Sequence, residues 1–282
     1  MKQLILQSLS RIDMVIWAFV ILFFCGSSLL FDGDFNLSFI GAAGIIVEML
    51  IISVSIEIII EALKSRKGIG TITGFITNGP EALCLIVGLA VGDILFAAST
   101  PLGSNFMNPL LLLTAAGLTG ALGRVFGCRP RYTVLTMCVT IFFAVSFYLI
   151  DERSYPWWAV GGLTASVMMF LRRPEEVQEE RQEKAHPSAV AWLIPAILIL
   201  IGTGYLLDPV VGFAAEHSKA PKGVIGFFVL AALSSWPEFK TCIALLNRGK
   251  TLEAILNITV SNITNIWLAV AGVAVYLFMS PP

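Results

Sequence analysis

A chain of 282 residues that is 57% hydrophobic and only 13% charged, with a mean hydropathy of +0.85, carries more apolar surface than one soluble core can absorb; an average soluble domain is about 25% charged. The formal net charge of −1 is uninformative, because the distribution of charge around apolar runs matters more than its sum, and no nucleic-acid partner is expected. The five cysteines, Cys25, Cys84, Cys128, Cys138 and Cys242, show no CxxC spacing, which argues against a disulfide framework or a zinc site.

Apolar runs follow one another at 14–31, 39–63, 69–90, 94–119, 132–150, 156–171, 189–207, 223–247 and 252–279. Most are near the ~20 residues a helix needs to cross the hydrocarbon layer. They are continuous rather than alternating, so helices are expected and a β-barrel is not. The fold class is therefore an all-α polytopic membrane protein of about nine transmembrane helices, with membrane lipid as its solvent. The first run starts too late and lacks the small-residue cleavage site of a signal peptide, and reads as a retained helix. Region 1–38 is thus an extra N-terminal helix. Region 39–171 is a first half, 172–188 (RRPEEVQEERQEKAH and its flanks) a charged linker, and 189–282 a shortened second half.

Threading nine helices puts fourteen of the eighteen Lys and Arg residues on the N-terminal side, leaving Arg153, Lys219 and Lys222 opposite and Lys240 inside a run. By the positive-inside rule the N-terminus is cytoplasmic and the C-terminus outside. With short loops and compact size, the expected location is a prokaryotic plasma membrane.

The two halves match each other without gaps at an offset of 157 residues over about thirty positions. Pro80 and Glu81 map to Pro237 and Glu238, Thr77 to Ser234, and Ser104, Asn105 and Asn108 to Ser261, Asn262 and Asn265. The charge pattern sends the Glu81 run outward and the Glu238 run inward, so the repeats (about 69–119 and 223–279) are inverted. Inverted repeats interrupted by Pro at matching positions are a signature of secondary transporters. Each proline removes a backbone donor and frees a carbonyl one turn earlier. Thr77 and Glu81, Ser234 and Glu238, Ser104 and Asn108, and Ser261 and Asn265 are all four residues apart, a spacing that shares a helix face. Together they offer carboxylate, amide, hydroxyl and carbonyl oxygens, suited to hard cations such as Ca²⁺, Na⁺ or Mg²⁺ rather than Zn²⁺ or copper. Glu81 and Glu238 carry the functional expectation, because a charge at mid-bilayer costs about 2.5–3.5 kcal/mol even on the lenient insertion scale. Ser104, Asn105, Ser261 and Asn262 taken singly serve equally well as interhelical hydrogen-bonding groups. On the run 39–63, Glu61 is expected to pair with Lys64, and Glu48 is a candidate to line an ion path. Lys240 either reaches toward the cytoplasm or acts as a tethered cation.

TNGPEALCLIVGLAVGDILFAASTPLGSNFMNP and LSSWPEFKTCIALLNRGKTLEAILNITVSNITN resemble the first and second α-repeats of the calcium/cation antiporter superfamily. The runs near 39–63 and 189–215 resemble the long tilted helix that precedes each repeat. The resemblance implies secondary active exchange of Ca²⁺ or a related divalent cation for Na⁺ or H⁺ by alternating access, without a cofactor and without enzymatic activity. It implies that Glu81 and Glu238 coordinate the ion, with Thr77, Ser104, Asn108, Ser234, Ser235, Ser261 and Asn265 completing the cation sites. Asn78 stands where the first motif usually has serine, and is grouped with them; Asn265 stands where sodium/calcium exchangers often have aspartate. The family usually has ten core helices, so a homodimer supplying the missing scaffold is a further expectation. Two central carboxylates and no third imply electroneutral 2:1 exchange. A passive cation channel using the same carboxylate and amide oxygens is the alternative.

Overall fold

The computed structural model describes residues 8–9, 11–91, 94–176, 185–220, 229 and 232–279, with nothing to be said of side chains over 91–100. Every element among these residues is helical: α1 Arg11–Leu30, α2 Phe35–Leu63, α3 Ile69–Thr77, α4 Gly79–Val91, α5 Ile94–Leu118, α6 Leu122–Gly127, α7 Pro130–Phe147, α8 Tyr155–Leu171, α9 Pro187–Ala191, α10 Leu193–Ser218, α11 Trp236–Asn247 and α12 Thr251–Met279, with a 3₁₀ turn at Glu152–Ser154. Six stretches among the described residues are long and apolar enough to cross a bilayer: α1, α2, Ile69–Ala90 across α3 and α4, α7, α10 and α12. The expected count of nine is thus not reached among the described residues. Ser104, Asn105, Asn108, Pro101 and Pro109 lower the hydropathy of α5, α8 is only 17 residues long, and residues 223–228, 230 and 231 of the run 223–247 lie outside the described residues. Residues 177–184 of the charged linker also lie outside them.

The chain divides into two compact units, each drawing one stretch from either sequence half: 1–65 with 183–240, and 66–182 with 241–282.

In the first unit α2 and α10 pack antiparallel, with α1 against both. Small residues set the approach. A Cβ added to Gly41 would lie 2.8 Å from Ala214 Cβ, and one on Gly44 would lie 3.1 Å from Val210, so the register descends on one helix as it climbs on the other. At one end Asp34 N–H donates to the His217 carbonyl at 2.8 Å, while Asp34 Oδ1 caps α2 by accepting from Leu37 N–H at 3.0 Å. At the other end Ala62 packs on Ala189, and Glu61 holds Lys64 at 2.8 Å, the pairing expected from sequence, and also accepts from His186 N–H at 3.2 Å.

In the second unit α12 is the hub, packed on α3, α5, α7 and α8. Its relation to α3 is parallel with a constant register: Gly70 meets Glu253, Gly74 meets Asn257, and Asn78 meets Ser261. Gly70 and Gly74 make a small-xxx-small face that lets two backbones touch; a Cβ at Gly74 would sit 2.7 Å from the Asn257 carbonyl oxygen. Toward its far end α12 buries Ile266, Ala269 and Val273 against Leu102, Ala144, Phe147 and Trp158. The first residues of the linker turn back onto this unit. The buried Glu176 carboxylate accepts from Gly70 N–H at 2.8 Å and from Thr71 N–H at 3.0 Å, satisfying donors that the first turn of α3 cannot pair internally.

Both repeats break their first helix at equivalent places. Asn78 separates α3 from α4, and Ser235 separates the helical residues 232–234 from α11. Pro80 and Pro237 occupy the second position of the restarting helix, where a missing N–H is tolerated.

Candidate cation site

In the second unit the break at Asn78 is pinned to α12. Asn78 Nδ2 donates to the Ser261 carbonyl at 2.8 Å, and the Ser261 hydroxyl donates to Asn78 Oδ1 at 2.7 Å. This reciprocal clamp holds the ends of the two half-helices, Thr77 and Glu81, beside the polar stretch of α12. Ser104 on α5 donates to Glu81 Oε1 at 3.3 Å. Glu81 is 8% exposed, and Asn105, Asn108, Ser261, Asn262 and Asn265 are completely buried.

Helices α5 and α12 run antiparallel here and meet through asparagines in a two-fold pattern. Asn108 Nδ2 donates to Asn262 Oδ1 at 2.8 Å, and Asn265 Nδ2 donates to Asn105 Oδ1 at 3.1 Å. The repeat offset carries one bond onto the other, donor to donor and acceptor to acceptor. Asn108 Nδ2 also reaches Ser261 Oγ at 3.1 Å. Pro109 contributes by what it lacks: with no N–H to give the Asn105 carbonyl, it leaves that oxygen to accept from Asn262 Nδ2 at 3.5 Å. Asn262 Nδ2 is steadied further by Thr140 Oγ1 of α7 at 3.1 Å.

With the nitrogen ends of Asn108 and Asn265 held in this way, their Oδ1 atoms are buried and have no hydrogen-bond partner among the described residues; Thr77 Oγ1 is in the same condition. Buried acceptors left without donors are costly, of order 1–3 kcal/mol each, unless something electropositive meets them. Amide and hydroxyl oxygens beside a carboxylate are the donor set of hard cations.

Of the residues singled out from sequence, this unit brings together Thr77, Asn78, Glu81, Ser104, Asn108, Ser261 and Asn265. Ser234, Ser235 and Glu238 belong to the first unit. There Glu238 and Ser235 are each 1% exposed, and Ser235 Oγ is buried without a hydrogen-bond partner among the described residues. Trp236 anchors this start of α11 by donating Nε1–H to the Met49 carbonyl of α2 at 3.2 Å. The holding role of Asn105 and Asn262 goes beyond the sequence reading; its signal was the repeated S-N-x-x-N spacing, which included both without saying what they hold.

Comparison with solved structures finds the sodium-calcium exchanger NCX_Mj, in a crystal soaked with 10 mM Na⁺ and zero Ca²⁺, at a TM-score of 0.55 and 17% identity, covering 85% of this chain and 83% of that one. The chain has the fold of that exchanger. Among curated proteins, one of Alkalimonas amylolytica that carries the name antiporter CaxA is 26% identical over 217 residues, covering 72% of this chain and 67% of its own length. The multidrug resistance protein MdtG of Dickeya zeae (strain Ech586) is 28% identical over 194 residues, or 67% of this chain, which spans only 42% of MdtG. No protein-family model matches the chain. The broken helices and the asparagine pairs described above are polar features of otherwise apolar spans.

Proposed function

We propose that this protein is a secondary active cation antiporter that exchanges Ca²⁺, or a related divalent cation, for Na⁺ or H⁺ by alternating access. The observation that carries the reading is the pair of repeat-related amides, Asn108 and Asn265, whose nitrogens are held by Asn262 and Asn105 while their oxygens stay buried and unpaired among the described residues. The likeness to NCX_Mj and the name of the CaxA relative support it. Glu81 and Glu238, one from each repeat, supply the charge. Thr77, Asn78, Ser104, Ser234, Ser235 and Ser261 supply neutral oxygen or orient the groups that do.

Two carboxylates are neutralised by one divalent ion, by two monovalent ions or by two protons, so binding of either cargo excludes the other. Coupling is then competition for the same charges, combined with a two-state protein that turns over only when neutralised. Exchange is electroneutral on this account. The decisive test is radiolabelled Ca²⁺ uptake into proteoliposomes under an imposed Na⁺ gradient and, separately, a pH gradient. Uptake is expected to need one of the two gradients, to produce no current, and to fall by about 30-fold or more in Glu81→Gln and in Glu238→Gln, the loss for a charge-assisted ligand. Gradient-independent flux without counterflow would instead establish a passive channel using the same oxygens. Flux surviving both substitutions would remove the carboxylates from the mechanism.

A further inference from the structure

Lys240 follows Glu238 by two positions on α11, so the two side chains project toward different sides of the helix. Its ammonium nitrogen lies 2.6 Å from Oδ1 and 2.6 Å from Oδ2 of Asp13, on the N-terminal helix α1. Both groups are buried, with side-chain exposures of 5% and 1%. A second acid, Glu57 of α2, is 4% exposed and within electrostatic reach of the same ammonium. Asp13, Glu57 and Lys240 all belong to the first unit.

A lysine used only as glue has little reason to be here. Replacing a buried ion pair by apolar side chains of similar size is often neutral or stabilising, so a pair maintained between membrane helices calls for a role. The geometry has the features of ion chelation: a compact, singly charged cation centred on both oxygens of one carboxylate, with a second carboxylate nearby. Arginine forms the better structural fork with a carboxylate, whereas an ammonium is the closest side-chain equivalent of a monovalent metal ion.

We propose that Asp13 and Glu57 form a monovalent-cation site, separate from the Glu81 and Glu238 ligand set, which the chain fills with its own Lys240 ammonium. Because the cation is tethered, the site stays filled and its charge stays constant while cargo ions come and go. The N-terminal helix is then part of the electrostatic machinery: it supplies the carboxylate that neutralises Lys240 close to Glu238 in sequence. This inference goes beyond the antiporter reading and stands on the geometry of one unit.

The test is thermal unfolding of the detergent-purified full chain, titrated with Na⁺ or K⁺ at constant ionic strength with N-methyl-D-glucamine, for the wild type, Lys240→Ala and Asp13→Asn/Lys240→Ala. Removing the ammonium should open the site. Lys240→Ala is expected to gain about 3 °C or more in midpoint between about 1 and about 100 mM of one of these ions, over and above the wild-type response. The double variant should fall back to the wild-type response. No extra response in Lys240→Ala, an equal one in the double variant, or stabilisation by acid but by neither ion would each overturn the proposal. If Lys240→Ala does not accumulate, Lys240→Ser, which offers a hydroxyl oxygen to an incoming ion, is purified in Na⁺ and in K⁺. Its recovery with one ion and not without supports the site. Failure of both lysine variants in either ion, with recovery of the double variant, overturns it. None of these readouts requires transport, so a failed antiporter assay and a failed cation site are separate results.

Discussion

An asparagine amide offers an oxygen and a nitrogen of similar size, and the end that meets a cation is decided by what grips the other. Asn105 and Asn262 do the gripping, and their own complete burial fixes them in turn. Asn105→Ala leaves Asn265 Nδ2 without its acceptor and the amide free to rotate. The half-saturating Ca²⁺ concentration for uptake is expected to rise about 10-fold, the worth of one buried hydrogen bond, with the maximal rate little changed. Kinetics in proteoliposomes check this; an equal loss in both parameters would mean the residue does something other than hold Asn265. The repeat spacing made the polar positions that meet across α5 and α12 legible in the sequence, because it placed matching polar residues in two apolar runs. It did not reveal which asparagine holds which, since the partners lie 154 and 160 residues apart. Asp13 was less legible still. It is a single acid at the edge of an apolar run, and only folding brings it to Lys240, 227 residues away.

Among the helices, the contact of α3 with α12 is the least forgiving. Nothing but hydrogen occupies the space between Gly74 and the Asn257 backbone, and a methyl group there meets a carbonyl oxygen rather than the movable end of a side chain. Gly74→Ala must part the helices, at a cost of about 1–3 kcal/mol. Because the same register carries the Asn78–Ser261 clamp, a parted interface also loosens the end of α3 that bears Thr77. A lower thermal midpoint in detergent is expected for Gly74→Ala. Gly103→Ala on α5, where an added Cβ meets nothing within 4 Å, should leave it unchanged. The breaks themselves were readable from Pro80 and Pro237, since proline is tolerated in the first turn of a helix and resisted in its interior. The close approach was not readable, because a glycine in an apolar run carries no mark of what it faces.

For the molecule as a whole, the second unit ties its helices to one another in direction: α3 and α12 run parallel, and α5 runs antiparallel to α12. Residues 67, 120 and 250 therefore belong at one membrane face, and Asp151, beyond α7, at the other. By the bias of Lys and Arg the first face is expected to be the cytoplasmic one. In a cysteine-free background, a membrane-impermeant maleimide applied to intact cells should label Asp151→Cys and spare Lys67→Cys, Gly120→Cys and Lys250→Cys. The reverse pattern would invert the topology. Apolar length made helices long enough to span a bilayer legible from sequence, whereas the division into units was not, because it follows packing across distant segments and cuts through both sequence halves.

That interleaving has a consequence for how the protein is made. Neither unit holds all its chain until late in synthesis: Gly41 of α2 must wait for Ala214, and Gly70 of α3 for Glu253. At about 5–20 residues per second, each face stands without its mate for roughly ten seconds or more after it leaves the ribosome. During that interval lipid covers the apolar surface. The polar groups of the first repeat, Asn78 and Asn105 among them, pass the same interval inside or beside the bilayer before their partners on α12 exist. How much mature protein a cell obtains then depends on that interval as well as on folded-state stability.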